Sequence, residues 1–160
     1  MLLAVLSDTH GHVDYTRDAV RMLETLEVSR VIHCGDIGSP EIPPLLAPWP
    51  TDYVLGNVDQ DSASLRRAIA AAGHRLHGRF GSLELEGRKI AFLHSDDEKL
   101  FQQTIASGDW DLVCYGHTHK AEMHREGPTL VLNPGALYRA ARHSIAVVDL
   151  PDLEATHISI

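Results

Sequence analysis

A chain of 160 residues with a formal net charge of −8 at pH 7 is long enough for one hydrophobic core, and a single domain over 1–160 is expected. That acidity disfavours a broad nucleic-acid surface, which is normally basic. No apolar run approaches a membrane span, and the only cysteines, Cys34 and Cys114, read as small buried hydrophobes in a reducing cytoplasm.

Met1 to Ser7 lacks a basic start and a long hydrophobic stretch, so it reads as a first strand and not as a signal peptide. Ala19, Val20, Leu23 and Leu26 share one face of a helix expected over Asp14 to Glu27. Short apolar runs at Val31-Ile32 and Tyr53-Val54-Leu55 read as strands. Between them, Ser39 to Pro50 carries five prolines and holds at most a short helix. Leu65, Ala68, Ile69 and Ala72 repeat with helical spacing, with Ser62 or Asp61 as N-cap and Gly73 just past the end. Ser82 to Glu86 and Lys89 to Leu93 suggest a hairpin. Leu100, Phe101, Thr104 and Ile105 form a weaker helical face before Gly108. Strands are then expected at Leu112 to Tyr115, Thr129 to Leu132, Ile145 to Leu150 and Ala155 to Ile160.

Polar residues of one chemical kind follow five of these strands. Asp8-x-His10, Gly35-Asp36, Gly56-Asn57, His94 and Gly116-His117-Thr118-His119 offer oxygen and imidazole without thiolate. In sheet-based α/β folds ligands bind outside the carboxyl ends of strands. Seven such residues on one rim suit two divalent ions better than one. Any one of Asp8, Asp36 or Asn57 alone reads as a turn former; their common phase with the histidines favours a metal site. His33, His74, His77, His124, His143 and His157 read as surface or satisfied core histidines. Asp96-Asp97-Glu98 reads as an acidic helix cap. Arg139 and Arg142 follow the turn at Asn133-Pro134-Gly135 and read as solvated, with contact to a phosphate as the alternative. His12, one residue beyond the first loop, is expected to support the ligands or contact substrate.

These motifs, in this order, resemble the calcineurin-like metallophosphoesterase superfamily, nearest its small single-domain bacterial and archaeal phosphodiesterase branch, and Asn133-Pro134-Gly135 matches a turn of that branch. The resemblance implies an α/β fold: a four-layer α/β/β/α sandwich of two mixed sheets flanked by helices. It implies a hydrolase using two divalent metal ions, manganese first and iron, zinc, cobalt or nickel as alternatives. Asp8, His10 and His119 would hold the first ion, Asn57, His94 and His117 the second, and Asp36 would bridge. A metal-bridging hydroxide would attack a small phosphodiester, with Asp36, Asn57 and His94 as the catalytic residues and Asn57 also touching substrate.

Two positions depart from the superfamily pattern. Many members follow the Asn with a His that protonates the leaving group; here that residue is Val58, with Asp59 and His12 the nearest substitutes. Ser95 stands where a Gly usually follows the metal His. The alternatives to a phosphodiesterase are a phosphomonoesterase, a nuclease and a protein-interaction scaffold such as the retromer subunit of this fold. A small phosphodiester is expected as partner, with no membrane; nucleic acid is disfavoured but stays an alternative, as does a homo-oligomer.

Overall fold

The computed structural model describes residues 1–60 and 62–160. In chain order its elements are β1 (Leu2–Leu6), α1 (Val13–Glu24), β2 (Arg30–His33), α2 (Ile42–Leu45), β3 (Thr51–Tyr53), α3 (Ala63–Ala71), β4 (Arg75–Leu76), β5 (Phe80–Leu85), β6 (Arg88–Leu93), α4 (Glu98–Ala106), β7 (Leu112–Cys114), β8 (Ala121–Glu126), β9 (Thr129–Pro134), β10 (Ser144–Asp149) and β11 (Glu154–Ser159).

The strands form two mixed sheets, ordered β11-β10-β1-β2-β3-β4 and β5-β6-β7-β9-β8. In the first, β1 to β4 run parallel, and β10 and β11 are added antiparallel. In the second, β6, β7 and β9 run parallel between antiparallel edges β5 and β8.

Side-chain alternation builds the layers. Along β1, Leu3 and Val5 join Ile90, Phe92, Leu112 and Leu130 in a core between the two sheets. Ala4 and Leu6 face the other way, onto Ala19, Leu23, Ile42, Leu65 and Ile69 of α1, α2 and α3. On the far face of the second sheet, Ala91, Leu93 and Val113 pack against Phe101 and Ile105 of α4. The result is the expected α/β/β/α order. Cys34 and Cys114 lie unpaired in the inter-sheet core, where burial pushes both thiols up. Among the described residues no helix is long and apolar enough to cross a membrane.

Helix ends follow their caps. The Ser62 hydroxyl accepts the Leu65 N–H at 3.2 Å and starts α3; the other expected cap, Asp61, lies outside the described residues. Asp97 accepts the Leu100 N–H at 3.0 Å and starts α4, as an acidic cap should. Helix α1 ends at Glu24, earlier than its apolar pattern, with Thr25 as its C-cap and the Thr25 hydroxyl turned back onto the Met22 carbonyl at 2.7 Å. Glu86 and Gly87 both have positive φ, 51° and 73°, the requirement of the two-residue turn that closes the β5–β6 hairpin. Two strands were not expected: the two-residue β4 and the exposed edge β8.

Candidate metal centre

β1, β2, β3, β6 and β7 all end at one rim, and the loop after each carries a candidate ligand. The chain must turn sharply there. Asp8, His10, Asp36, His117 and His119 all take positive φ, between 45° and 73°, which is costly for residues with a Cβ and concentrates at functional sites. Ser95 also has φ 82°; its hydroxyl donates to the Gly116 carbonyl at 3.2 Å and helps hold it there. Gly56 has no substitute: a Cβ there would occupy the space of Asp36 Oδ1 and its backbone nitrogen.

The loops converge around two buried carboxylates. Asp36 Oδ2 lies 3.3 Å from His10 Nε2 and 3.1 Å from His94 Nε2, so one oxygen reaches two imidazoles. Asp8 Oδ1 lies 3.2 Å from His119 Nε2, 3.6 Å from His10 Nε2 and 3.8 Å from His94 Nε2. His117 Nδ1 meets Asn57 Oδ1 at 3.1 Å, and the His117 ring packs edge-on to His94 at 5.1 Å. All seven residues expected at the site are therefore brought together.

Several candidate ligands have their other polar atom held by the protein. Asp8 Oδ2 accepts from the Ser7 hydroxyl at 2.6 Å and the His117 N–H at 3.0 Å. His94 Nδ1 faces the Cys34 carbonyl at 2.8 Å, and His119 Nδ1 faces the Arg139 carbonyl at 3.2 Å. A carbonyl only accepts, so both Nδ1 atoms carry the proton and both Nε2 atoms keep a free lone pair, the arrangement that fixes metal-binding histidines. The His10 ring is sandwiched by stacking with Tyr138 at 4.7 Å and an edge contact with His119 at 5.2 Å.

What remains is a set of buried atoms with no hydrogen-bond partner: Asp8 Oδ1, His10 Nε2 and His94 Nε2. Leaving such groups unsatisfied is costly, and three together suit a cation. Two overlapping groups could each hold one, Asp8 with His10 and His119, and Asp8 with Asp36 and His94. The electrostatics agree in sign. Burial opposes ionisation of Asp36, but the His10 and His94 imidazoles beside it outweigh burial and hold the carboxyl well below the usual range. The Asp36 and Asp8 carboxylates in turn raise His10 to about 9. The buried negative charge thus draws in positive charge.

Two residues near the site have roles that the sequence did not reveal. Asp59, one of the two nearest substitutes in sequence for the missing proton donor, accepts backbone N–H groups from Ile37 at 3.1 Å, Gly38 at 2.9 Å and Gly56 at 2.9 Å. It clamps the Asp36 loop to the Asn57 loop, and both of its oxygens are occupied as acceptors. His33 lies wholly buried beneath the same loops. Its Nδ1 accepts the Gly35 N–H at 3.2 Å, so its Nε2–H donates to Thr9 Oγ1 at 3.0 Å, whose hydroxyl donates to the Ile37 carbonyl at 2.9 Å. Burial lowers its pKa to about 4 and keeps it neutral. His12 caps α1 through Nδ1, accepting the Tyr15 N–H at 3.4 Å, and its ring lies 6.4 Å from that of Tyr138.

The clamp yields a stability prediction. Asp59→Ala strands three inward-facing N–H groups, so the metal-free protein should lose about 2–4 kcal/mol on denaturant unfolding. Unchanged stability with slower turnover of poor leaving groups would instead mark Asp59 as a proton donor.

Other histidines stand apart from the ligands. His74 bonds the Tyr53 hydroxyl, His77 bonds Asp52, His157 bonds the Asn133 carbonyl and His143 packs on Tyr15. His124 is exposed beside Glu126.

A family model described as the calcineurin-like phosphoesterase superfamily domain matches residues 1–153. Phosphodiesterase MJ0936 of Methanocaldococcus jannaschii is 30% identical over 165 residues, covering 99% of this chain and 98% of that protein. A solved archaeal phosphodiesterase superimposes with a TM-score of 0.92 at 27% identity over 100% of both chains. Vps29 of Chaetomium thermophilum shares the fold at 14% identity, with a TM-score of 0.73 over 100% of this chain and 97% of that one.

Proposed function

The chain belongs to the calcineurin-like phosphoesterase superfamily, and we propose that it is a phosphodiesterase that hydrolyses a small phosphodiester using two divalent metal ions. The observation that carries the metal reading is the trio of unpaired buried atoms on Asp8, His10 and His94 gathered around Asp36. Likeness over the full length to archaeal phosphodiesterases supports the diester as substrate. Asp8, His10 and His119 would hold one ion and Asn57, His94 and His117 the other, with Asp36 between them. Such a pair, once bound, would lower the pKa of a bound water and neutralise phosphoryl oxygens. Imidazole with carboxylate accepts several first-row metals, and manganese is the one proposed. The two free thiols support a reducing cytoplasm as the compartment.

The rest of the chemistry is positioning by the chain itself. The carbonyls of Cys34 and Arg139 aim His94 and His119. Ser7 and the His117 N–H leave Asp8 one free oxygen. The Asn57 oxygen is turned to His117, which leaves its amide nitrogen to donate to a phosphoryl oxygen. Val58, 46% exposed, borders a pocket of about 240 Å³ whose other walls include Gly38, Pro40, Gln60 and Leu65. The ionisable side chain lining that pocket, Asp59, is occupied by backbone N–H groups. Among the described residues, a leaving oxygen on this side therefore meets no general acid.

Turnover should consequently fall steeply as leaving-group pKa rises across aryl and alkyl phosphodiesters, and diesters should outrun the matching monoesters. General acid catalysis is typically worth about 10²–10⁴-fold, so Val58→His should flatten the dependence by rescuing the poor leaving groups most. Rates measured where chemistry limits turnover check this. A shallow dependence in the unaltered protein would mean that another group already supplies the proton, and faster monoester hydrolysis would overturn the diester assignment.

A further inference from the structure

The loop that aims His119 also builds a second cleft. It has a volume of about 550 Å³ and runs from Thr118 and His119 past Lys120 to Arg139 and Arg142, within the size range of small-molecule sites. Ala121, Ala140 and Ala141 contribute apolar wall, and the charged residues lining it are Lys120, Glu122, Arg139 and Arg142. The carboxylate is already engaged: Glu122 Oε1 accepts the Tyr115 hydroxyl at 2.8 Å. The cations are not. Among the described residues, the side chains of Lys120 and Arg142 have neither hydrogen-bond nor ion-pair partner, and the Arg139 guanidinium rests only on the Tyr138 ring, 5.2 Å from its centroid.

This grouping runs against the chain's composition, in which acidic side chains outnumber basic ones, 22 to 14. Elsewhere several arginines are matched: Arg30 and Arg75 to Asp52, Arg79 to Asp96, Arg88 to Asp111. Beside the metal ligands, three cations are left unmatched. Tyr138 links the two regions, with one face stacked on His10 and Arg139 over its ring, so a guanidinium is held one ring away from a ligand. The Val58 pocket, among the described residues, is lined by no cation. A phosphodiester has two arms, and the two flanks of the site treat them differently.

Resting on the phosphodiesterase reading, we propose that the cleft of Lys120, Arg139 and Arg142 is a subsite for one arm of the substrate, selecting phosphodiesters whose arm bears a further phosphate group. The alanine walls accept the organic part of that arm, and the cations accept its terminal anion through charge-assisted hydrogen bonds. The arm on the Val58 side is left without a charge requirement.

A matched set of probes tests this: a dinucleoside monophosphate, the same molecule with a 5′-phosphate, and the same molecule with a 3′-phosphate. With manganese-loaded protein, one phosphorylated form should show kcat/KM about tenfold above the unphosphorylated molecule, the value of one good charge-assisted contact. Arg142→Ala and Lys120→Ala should each remove most of that advantage and leave hydrolysis of bis(p-nitrophenyl) phosphate unchanged. Titration calorimetry with the metal-free protein should show the same order of binding and the same losses. Equal kcat/KM and equal binding for all three probes would overturn the subsite, as would an advantage that survives both substitutions. Should no diester be hydrolysed, the phosphodiesterase reading fails, and the calorimetric comparison still decides whether the cleft selects the added phosphate.

Discussion

Asp36→Asn is expected to lower kcat/KM for a phosphodiester by about 10²–10³, the usual cost of removing a central electrostatic element of a site. Shape is nearly conserved. The side-chain oxygen can still accept the Val58 N–H, which it does at 3.0 Å, so the Asn57 loop keeps its anchor. What changes is the atom that lies 3.3 Å from His10 and 3.1 Å from His94. An amide nitrogen there has neither a charge nor a lone pair to share, and metal affinity should fall with activity. Folding should not: circular dichroism and the unfolding midpoint of the metal-free protein should stay close to those of the parent. His124→Ala is the control, since His124 is exposed and meets only Glu126 at 3.6 Å. Equal activities in the two variants would show that Asp36 is not central.

The ligand loops were legible because they combine two independent signals, a short β-branched run and a hard or borderline ligand just beyond it. The strands at Leu2–Leu6, Arg30–His33 and Leu112–Cys114 carry the first signal in full. Periodicity likewise exposed α1 and α3. It could not expose β8, whose six residues, Ala121 to Glu126, are all exposed and present no apolar face. Nor could it expose β4, two residues long and held by its pairing to Asp52 and Tyr53.

Within the site, donor type was readable and support was not. Asp59 lies two residues past Asn57, close enough to suggest a proton donor, yet its function is set by three N–H groups from other turns. His33 lies at the end of an ordinary strand, and nothing in its neighbourhood of sequence announces Thr9 as its partner. The carbonyl of Arg139 aims His119 from twenty residues away, a contact that side-chain chemistry cannot foretell because the group is backbone. Ser95 shows the converse. Its departure from Gly is plain in the sequence, but only the structure reveals both its positive φ and the hydrogen bond to Gly116 that accompanies it.

Removal of metal should have the largest effect of all. In the proposed site Asp36 serves both ions, its Oδ2 lying 3.3 Å from His10 and 3.1 Å from His94, so the site should empty as a unit. Activity should then fall to background, because the remaining groups only position and polarise. The most direct measurement is metal content by mass spectrometry during stepwise manganese reloading of chelated protein, followed in parallel with phosphodiester hydrolysis. Saturation is expected at about two ions per chain, with activity appearing as the second site fills. Full activity in rigorously metal-free protein would contradict it, and full activity at one ion per chain would contradict the dinuclear site.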